Sequence, residues 1–184
     1  LIQIEKRIIF VELFDSFLER SMKKGVVFQE SQRFTQWWLW LVVIGMDLMY
    51  LFAVGKHLFS QIQSGKEPQI NSQIIIAVTI VFLITVLFLL LRLDTIIDDA
   101  GIHVKFFPFH LSFRHYGWET IANCFVRKYK PLLEYGGWGI RGTGKNKALN
   151  VKGNMGIQIE FHDGKRLLIG TSKFEEVSKF LTGR

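Results

Sequence analysis

"IIIAVTIVFLITVLFLLLRLDTII", residues 74 to 97, decides the architecture, because two hydrophobic patterns meet inside it at Arg92. The first 18 residues, Ile74 to Leu91, are apolar apart from two threonines and carry no charge. At about 1.5 Å per residue, a helix of that length nearly matches the hydrocarbon core of a bilayer. After Arg92 the pattern changes to a period of two, the signature of a strand with one face toward a core. The chain is therefore expected to leave a membrane and enter a β domain with no linker between them.

Working back from Ile74, a second candidate span, "WWLWLVVIGMDLMYLFAVG", runs from Trp37 to Gly55. Trp37, Trp38 and Trp40 fit an aromatic anchor at the membrane interface. The polar stretch from Lys56 to Gln73, punctuated by Gly65 and Pro68, is long enough to turn the chain back. Residues 34–92 then read as a two-helix transmembrane hairpin, with both termini on one side. Arg20, Lys23, Lys24 and Arg33 before it and Arg92 and Lys105 after it outnumber Lys56 and Lys66 in the connection. That bias places both termini in the cytoplasm and the chain in an inner membrane.

One charge lies inside the spans. An ionised Asp47 facing lipid near mid-bilayer would cost about 2.5–3.5 kcal/mol, so it is expected to find a partner. Residues at similar depth in the second span lie near Val81, which brings Thr79 and Thr85 within reach of a hydrogen bond. A packing bond is the expected role; a proton or ion site is the alternative. The first 21 residues carry Ile4, Ile8, Val11, Phe14 and Leu18 at helical spacing. They read either as an in-plane amphipathic helix or as non-native sequence ahead of a start at Met22.

Working forward, "LDTII", "IHVKFF", "HLSFRHY" and "IANCFVRKYK" read as strands, and "EYGGWGIR" and "ALNV" flank a glycine-rich loop. "GIQIEF" and "RLLIG" form a hairpin about Asp163-Gly164, where glycine supplies the positive φ of a tight turn. "TSKFEEVSKFLTGR" reads as a helix, with Thr171 or Ser172 as N-cap, Glu175 at capping-box distance from Ser172, and an apolar face of Phe174, Val177, Phe180 and Leu181. Seven or eight strands and a terminal helix are expected over residues 93–184, with residues 1–33 an N-terminal segment.

The loop "GIRGTGKN", residues 139 to 146, matches a phosphate-binding G-x-x-x-x-G-K except that Asn146 replaces Ser or Thr. A phosphate loop needs a helix N-terminus after the lysine. The residues after Lys145 look β-like and glycine-broken, so a hairpin tip is expected and no nucleotide. Arg141, Lys145, Lys147 and Lys152 make that region basic and are the candidate contacts for anionic headgroups or a partner.

Seven strands closed by one amphipathic C-terminal helix resemble the pleckstrin-homology (PH) fold. With "FQESQRF", the Trp-rich first span, "GIHVKFFPFHLSFRHYGWETI", "EYGGWGIR" and "NVKGNMGIQIEFHDGKRLLIGT", residues 22–184 look like a poorly characterised family of bacterial two-span membrane proteins with a C-terminal PH-like domain. The resemblance implies a PH-like barrel on a membrane α-helical hairpin, and no activity. Phosphoinositide-binding PH domains usually carry basic residues in the first hairpin, where this chain has Asp98 and Asp99.

The net charge of +7 and pI near 9.6 suit an anionic membrane surface or nucleic acid. The spans favour the membrane, and basic residues interleaved with acidic ones argue against nucleic acid. His103, His110, His115 and His162 lack the paired spacing of a helical zinc site, and His57 lies at a membrane edge. Cys124, the single cysteine, excludes an internal disulfide framework and reads as buried. No cofactor, metal or catalytic residue is expected. The function expected is a non-catalytic binding or scaffolding module at the cytoplasmic membrane surface, with the bilayer and a membrane protein or a second copy as partners. A membrane enzyme or transport accessory using Asp47 is the alternative.

Overall fold

A computed structural model describes residues 27–65 and 67–182. The expected amphipathic helix before Met22, the basic residues Arg20, Lys23 and Lys24, and Lys66 lie outside the described residues. Two apolar helices, α1 (Trp37–Gln63) and α2 (Ser72–Leu90), are long and apolar enough to cross a membrane. Val43 is the one buried residue of α1 and none of α2 is buried, so nearly all of their apolar surface points away from protein. Asn71 caps α2 by accepting a hydrogen bond from the Ile74 amide at 3.0 Å, ending the polar connection where the apolar run begins.

The remaining elements make two sheets. One has the order β1 (Phe28–Arg33), β2 (Arg92–Ile97), β3 (Gly101–Phe107), β4 (Arg114–Gly117), antiparallel throughout. The other has the order β5 (Ile121–Lys128), β8 (Met155–Phe161), β9 (Arg166–Gly170), β7 (Asn146–Asn150), β6 (Gly139–Thr143), with β7 and β9 parallel. These nine strands among the described residues replace the seven or eight expected, and they form two open sheets rather than the expected barrel. The strand expected over "HLSFRHY" shrinks to β4, because Pro108 to Phe113 form a loop instead. A short helix, α3 (Pro131–Tyr135), lies between β5 and β6; Pro131 opens it and Gly136, at φ +71°, closes it.

Between the sheets Leu93, Ile97, Ile102, Val104 and Phe106 meet Leu149, Val151, Ile157, Ile159, Leu167 and Ile169 in one core. The C-terminal helix α4 (Phe174–Thr182) adds Val177, fully buried, and lays Phe180 against Trp118 with ring centroids 6.3 Å apart. A smaller cluster of Tyr129, Ala148 and Leu168, with Tyr135 packed against it, lies apart from that core. Full burial of each large aliphatic side chain contributes about 1.5–3 kcal/mol.

The largest departure from expectation is β1. Residues 28–33 belong to the β domain, not to a separate N-terminal segment, and they pair with β2 in the register Phe28 to Ile97 through Arg33 to Arg92. The two ends of the helical hairpin are therefore neighbours. Phe28, Glu30 and Gln32 are buried on one face of β1 while Gln29, Ser31 and Arg33 are exposed. Gln32 Nε2 donates to the Gly170 carbonyl and Gln36 Nε2 to the Val151 carbonyl, both at 2.7 Å, tying the approach to α1 to the second sheet.

Candidate functional site

Two places combine polar chemistry with an unusual setting. The first lies between α1 and α2, where Thr85 Oγ1 is 3.2 and 3.0 Å from the two Asp47 carboxylate oxygens. The same hydroxyl lies 3.2 Å from the Val81 carbonyl one turn back. Thr79 does not join them: its hydroxyl donates to the Ile75 carbonyl at 2.8 Å and is exposed. Asp47 thus has one hydroxyl partner on the neighbouring helix, in surroundings that are otherwise apolar.

The second place is a groove of about 380 Å³ where the two apolar helices meet the β domain. Phe34, Trp38 and Leu39 supply one wall from the start of α1, and Phe88 and Leu91 come from the end of α2. Phe106, Phe109, Leu132 and the segment Gly136–Arg141 complete it. The ring of Trp38 lies 6.0 Å from that of Trp138, and Phe34 meets Phe88 edge-on at 6.0 Å. Trp138 Nε1 donates to the Gly153 carbonyl at 3.1 Å, and Arg141 Nε to the Trp138 carbonyl at 2.8 Å. The segment "EYGGWGIR" is thereby shaped around an indole that faces Trp38 of α1.

The four basic candidates do not form one patch. Arg141 lines the groove, whereas Lys145 sits at the far tip of the β6–β7 hairpin, about 13 Å or more along the strand from Gly139. The Lys145 carbonyl accepts from the Arg166 amide at 2.6 Å, beside the Asp163 turn. By register Arg141 is opposite Ala148, and Lys147 is the neighbour of Ala148, so the two side chains leave opposite faces of the sheet. Lys152 lies between β7 and β8. The glycine loop itself is a hairpin turn followed by strand β7, without a helix after Lys145. Gly142, at φ +77°, is forced, since a Cβ there would run into the Asn146 carbonyl oxygen.

Other polar groups are engaged in holding turns. Asp98 Oδ1 accepts from the Ala100 and Gly101 amides, each at 2.9 Å, and Oδ2 lies 2.9 Å from His103 Nε2. His103 in turn stacks on His115 at 4.5 Å. Among the described residues no three His, Cys, Asp or Glu side chains are grouped to hold a metal ion. Burial, aided by the charge of Arg114, pushes the His110 imidazole below its ordinary pKa, in keeping with a neutral ring whose Nδ1 accepts from the Phe106 amide at 3.3 Å. The Arg127 guanidinium, 2.8 Å from Glu134, holds that carboxyl below its usual range and fastens α3 to β5. Burial pushes the Cys124 thiol up to about 12.

Sequence reasoning missed Glu30, Gln32 and Gln36, because three polar side chains before a span read as surface. It also missed α3, for which Pro131 and Gly136 were the available start and stop signals. Compared with protein-family models, with curated proteins and with solved structures, the chain finds no match.

Proposed function

We propose that this protein is a non-catalytic binding or scaffolding module anchored in an inner membrane, with a PH-like domain at the cytoplasmic surface. The observation that carries the reading is the junction: β1 and β2 pair at Arg33 and Arg92, directly where the spans begin and end. A domain so attached presents its groove to whatever lies at the membrane surface, a lipid headgroup or the flank of a membrane protein or second copy. Two facing sheets with an amphipathic C-terminal helix packed on the core support the PH-like reading; the parallel β7–β9 pair departs from it. The turn-holding roles of Asp98 and His103 support a binding rather than a catalytic part.

The experiment is purification of the full chain in mild detergent with mass spectrometry, comparing wild type with Trp138→Ala and Arg141→Ala. A stoichiometric membrane protein retained by wild type and lost from the groove variants supports the module; identical recovery from all three contradicts a role for the groove. The cytoplasmic assignment is tested separately. A cysteine at Ser64 should react with an impermeant thiol reagent from outside intact cells and one at Ser178 should not; the reverse pattern overturns it.

The Asp47–Thr85 bond favours one second reading, a transport accessory whose intramembrane carboxylate binds a proton or cation. Loss of an ion-linked phenotype in a correctly inserted Asp47→Asn variant would support it.

A further inference from the structure

Outside the spans and the turn between them, the most exposed large apolar side chains fall in two places. Phe109 (60%) and Leu111 (79%) stand on the loop between β3 and β4, and Leu132 (66%) and Leu133 (79%) on α3. Neither segment is loose. The His110 amide donates to the Phe106 carbonyl at 2.8 Å and the His110 ring accepts from the Phe106 amide, so the loop is pinned between its two apolar tips. Helix α3 is held by the Arg127–Glu134 pair and by Tyr135, whose ring lies 6.1 Å from that of Tyr129. Large apolar side chains held outward in pairs on fixed backbone make an exposed apolar patch, the kind of surface that marks a site of contact with a partner or a membrane.

The position of the two segments identifies that neighbour. Phe109 and Leu132 line the same groove as Trp38, Leu39 and Phe88, residues at the domain-side ends of the two apolar helices. A second hollow of about 530 Å³ continues from Leu132 along Leu133, Pro131 and Trp138. The apolar surface at the ends of the helices therefore meets Phe109 and Leu132 in the groove and reaches Leu133 in the second hollow, with Leu111 two residues beyond Phe109 on the same loop. Strand β2 starts one residue after Leu91, which leaves no linker to lift that edge away. Cations flank it: Lys128 and Lys130 lead into α3, Arg114 follows the loop, and Arg141 lines the groove. An apolar strip bordered by Lys and Arg is the pattern of a segment lying in the interface of an anionic bilayer.

We infer that Phe109 and Leu111 on the β3–β4 loop and Leu132 and Leu133 on α3 are seated in the lipid interface of the bilayer that α1 and α2 enter. This rests on the reading of α1 and α2 as spans. It makes the β domain a partly embedded body rather than one tethered above the headgroups. The junction groove then opens sideways to lipid, and a molecule that fills it would arrive from the bilayer.

The test uses the full chain in vesicles of phosphatidylethanolamine and phosphatidylglycerol. A bimane fluorophore is placed, in a Cys124→Ala background, at Leu111→Cys, Leu133→Cys, Leu41→Cys on α1, or Asp163→Cys on the β8–β9 turn. Emission is read with lipids carrying a doxyl quencher at acyl carbon 5 and, separately, with aqueous iodide. The Leu111 and Leu133 probes should lose as large a share of emission to doxyl lipid as the Leu41 probe, and be shielded from iodide relative to Asp163. Iodide quenching equal to that of Asp163 without doxyl quenching overturns the inference, since the edge then stands in water. Quenching by neither agent also overturns it, since protein then covers the edge. Failure at Leu41 itself would refute the spans, which separates that failure from one of the embedded edge alone. Both tested leucines are largely exposed, so circular dichroism matching wild type is expected for the labelled chains; a probe that unfolds the domain is replaced by one at Leu132 or Phe109, read by the same criteria.

Discussion

The Glu30 carboxylate, on a strand that precedes both apolar helices, accepts a 2.6 Å hydrogen bond from Thr171 Oγ1, 141 residues later. Its other oxygen accepts from the Ser172 amide at 2.9 Å, two residues before α4 begins. The expected capping box between Ser172 and Glu175 is not what closes that end: Thr171 Oγ1 takes the Lys173 amide, and a carboxylate from β1 takes the preceding one. A negative charge at the start of a helix is also favoured by the helix dipole.

Removing Glu30 should therefore loosen the C-terminal helix from a distance. Glu30→Ala leaves a buried hydroxyl and an amide without their acceptor and is expected to cost about 2–4 kcal/mol, with Glu30→Gln about half of that. Thermal unfolding of the full chain in detergent measures the loss. A shift in Glu30→Ala no larger than that of an exposed control such as Gln29→Ala would contradict the buried role.

A second expectation concerns where the β domain can be cut. A fragment of residues 94–184 lacks β1 and should not fold, because it exposes the edge of β2 and loses the bonds from Glu30 and Gln32. Residues 27–34 joined through a short Gly-Asn turn to 91–184 should fold, since Arg33 and Arg92 are already paired. Amide exchange by NMR distinguishes the two; a well-dispersed, protected spectrum from the short fragment would refute the claim.

On the reading of α1 and α2 as spans, Thr85→Val should weaken helix association by about 0.6–2 kcal/mol, the range measured for such hydrogen bonds in membranes. Asp47→Asn keeps an acceptor and a donor and should insert normally, with the larger effect from Asp47→Leu at the same site. Unfolding in a bilayer mimetic provides the comparison. Equal stability of Thr85→Val and wild type would mean that the bond contributes nothing.

Cys124 gives a pH-dependent expectation. Its folded pKa lies above the ordinary thiol value because burial disfavours the thiolate, so the associated stability is fully present below about pH 8.5 and is lost as pH rises toward 12. At pH 8 the folded thiol should react with iodoacetamide about a thousandfold more slowly than the unfolded one. Comparable rates in native and denatured protein would place Cys124 outside the packed region.

The parts legible in sequence are those whose pattern is local. Strands β2, β3, β5, β8 and β9 alternate or run apolar between clear turns, and α4 repeats its apolar residues at helical spacing. Strand β1 failed because its inward residues include Glu30 and Gln32, which only a partner far along the chain makes sense of. Depth along the helix leaves both Thr79 and Thr85 as partners for Asp47, and rotation about the axis, which sequence does not fix, separates them. Arg141 and Lys147 read as one basic patch because they are close in sequence, whereas strand pleating sends their side chains to opposite faces.

The pairing of β1 with β2 also sets an order of events during synthesis. Strand β1 leaves the ribosome before β2, and the strand it pairs with is absent until roughly 60 further residues have been made, a delay of several seconds at about 5–20 residues per second. Throughout that interval the nascent chain holds Glu30 and Phe28 without the walls they will fill. On the reading of α1 and α2 as spans, a chain in which only one of them integrates would leave Arg33 and Arg92 on opposite sides of the bilayer, where β1 and β2 could not pair. Formation of the first sheet would then require that both helices had been inserted, which makes the β1–β2 pairing a checkpoint on insertion built into the fold.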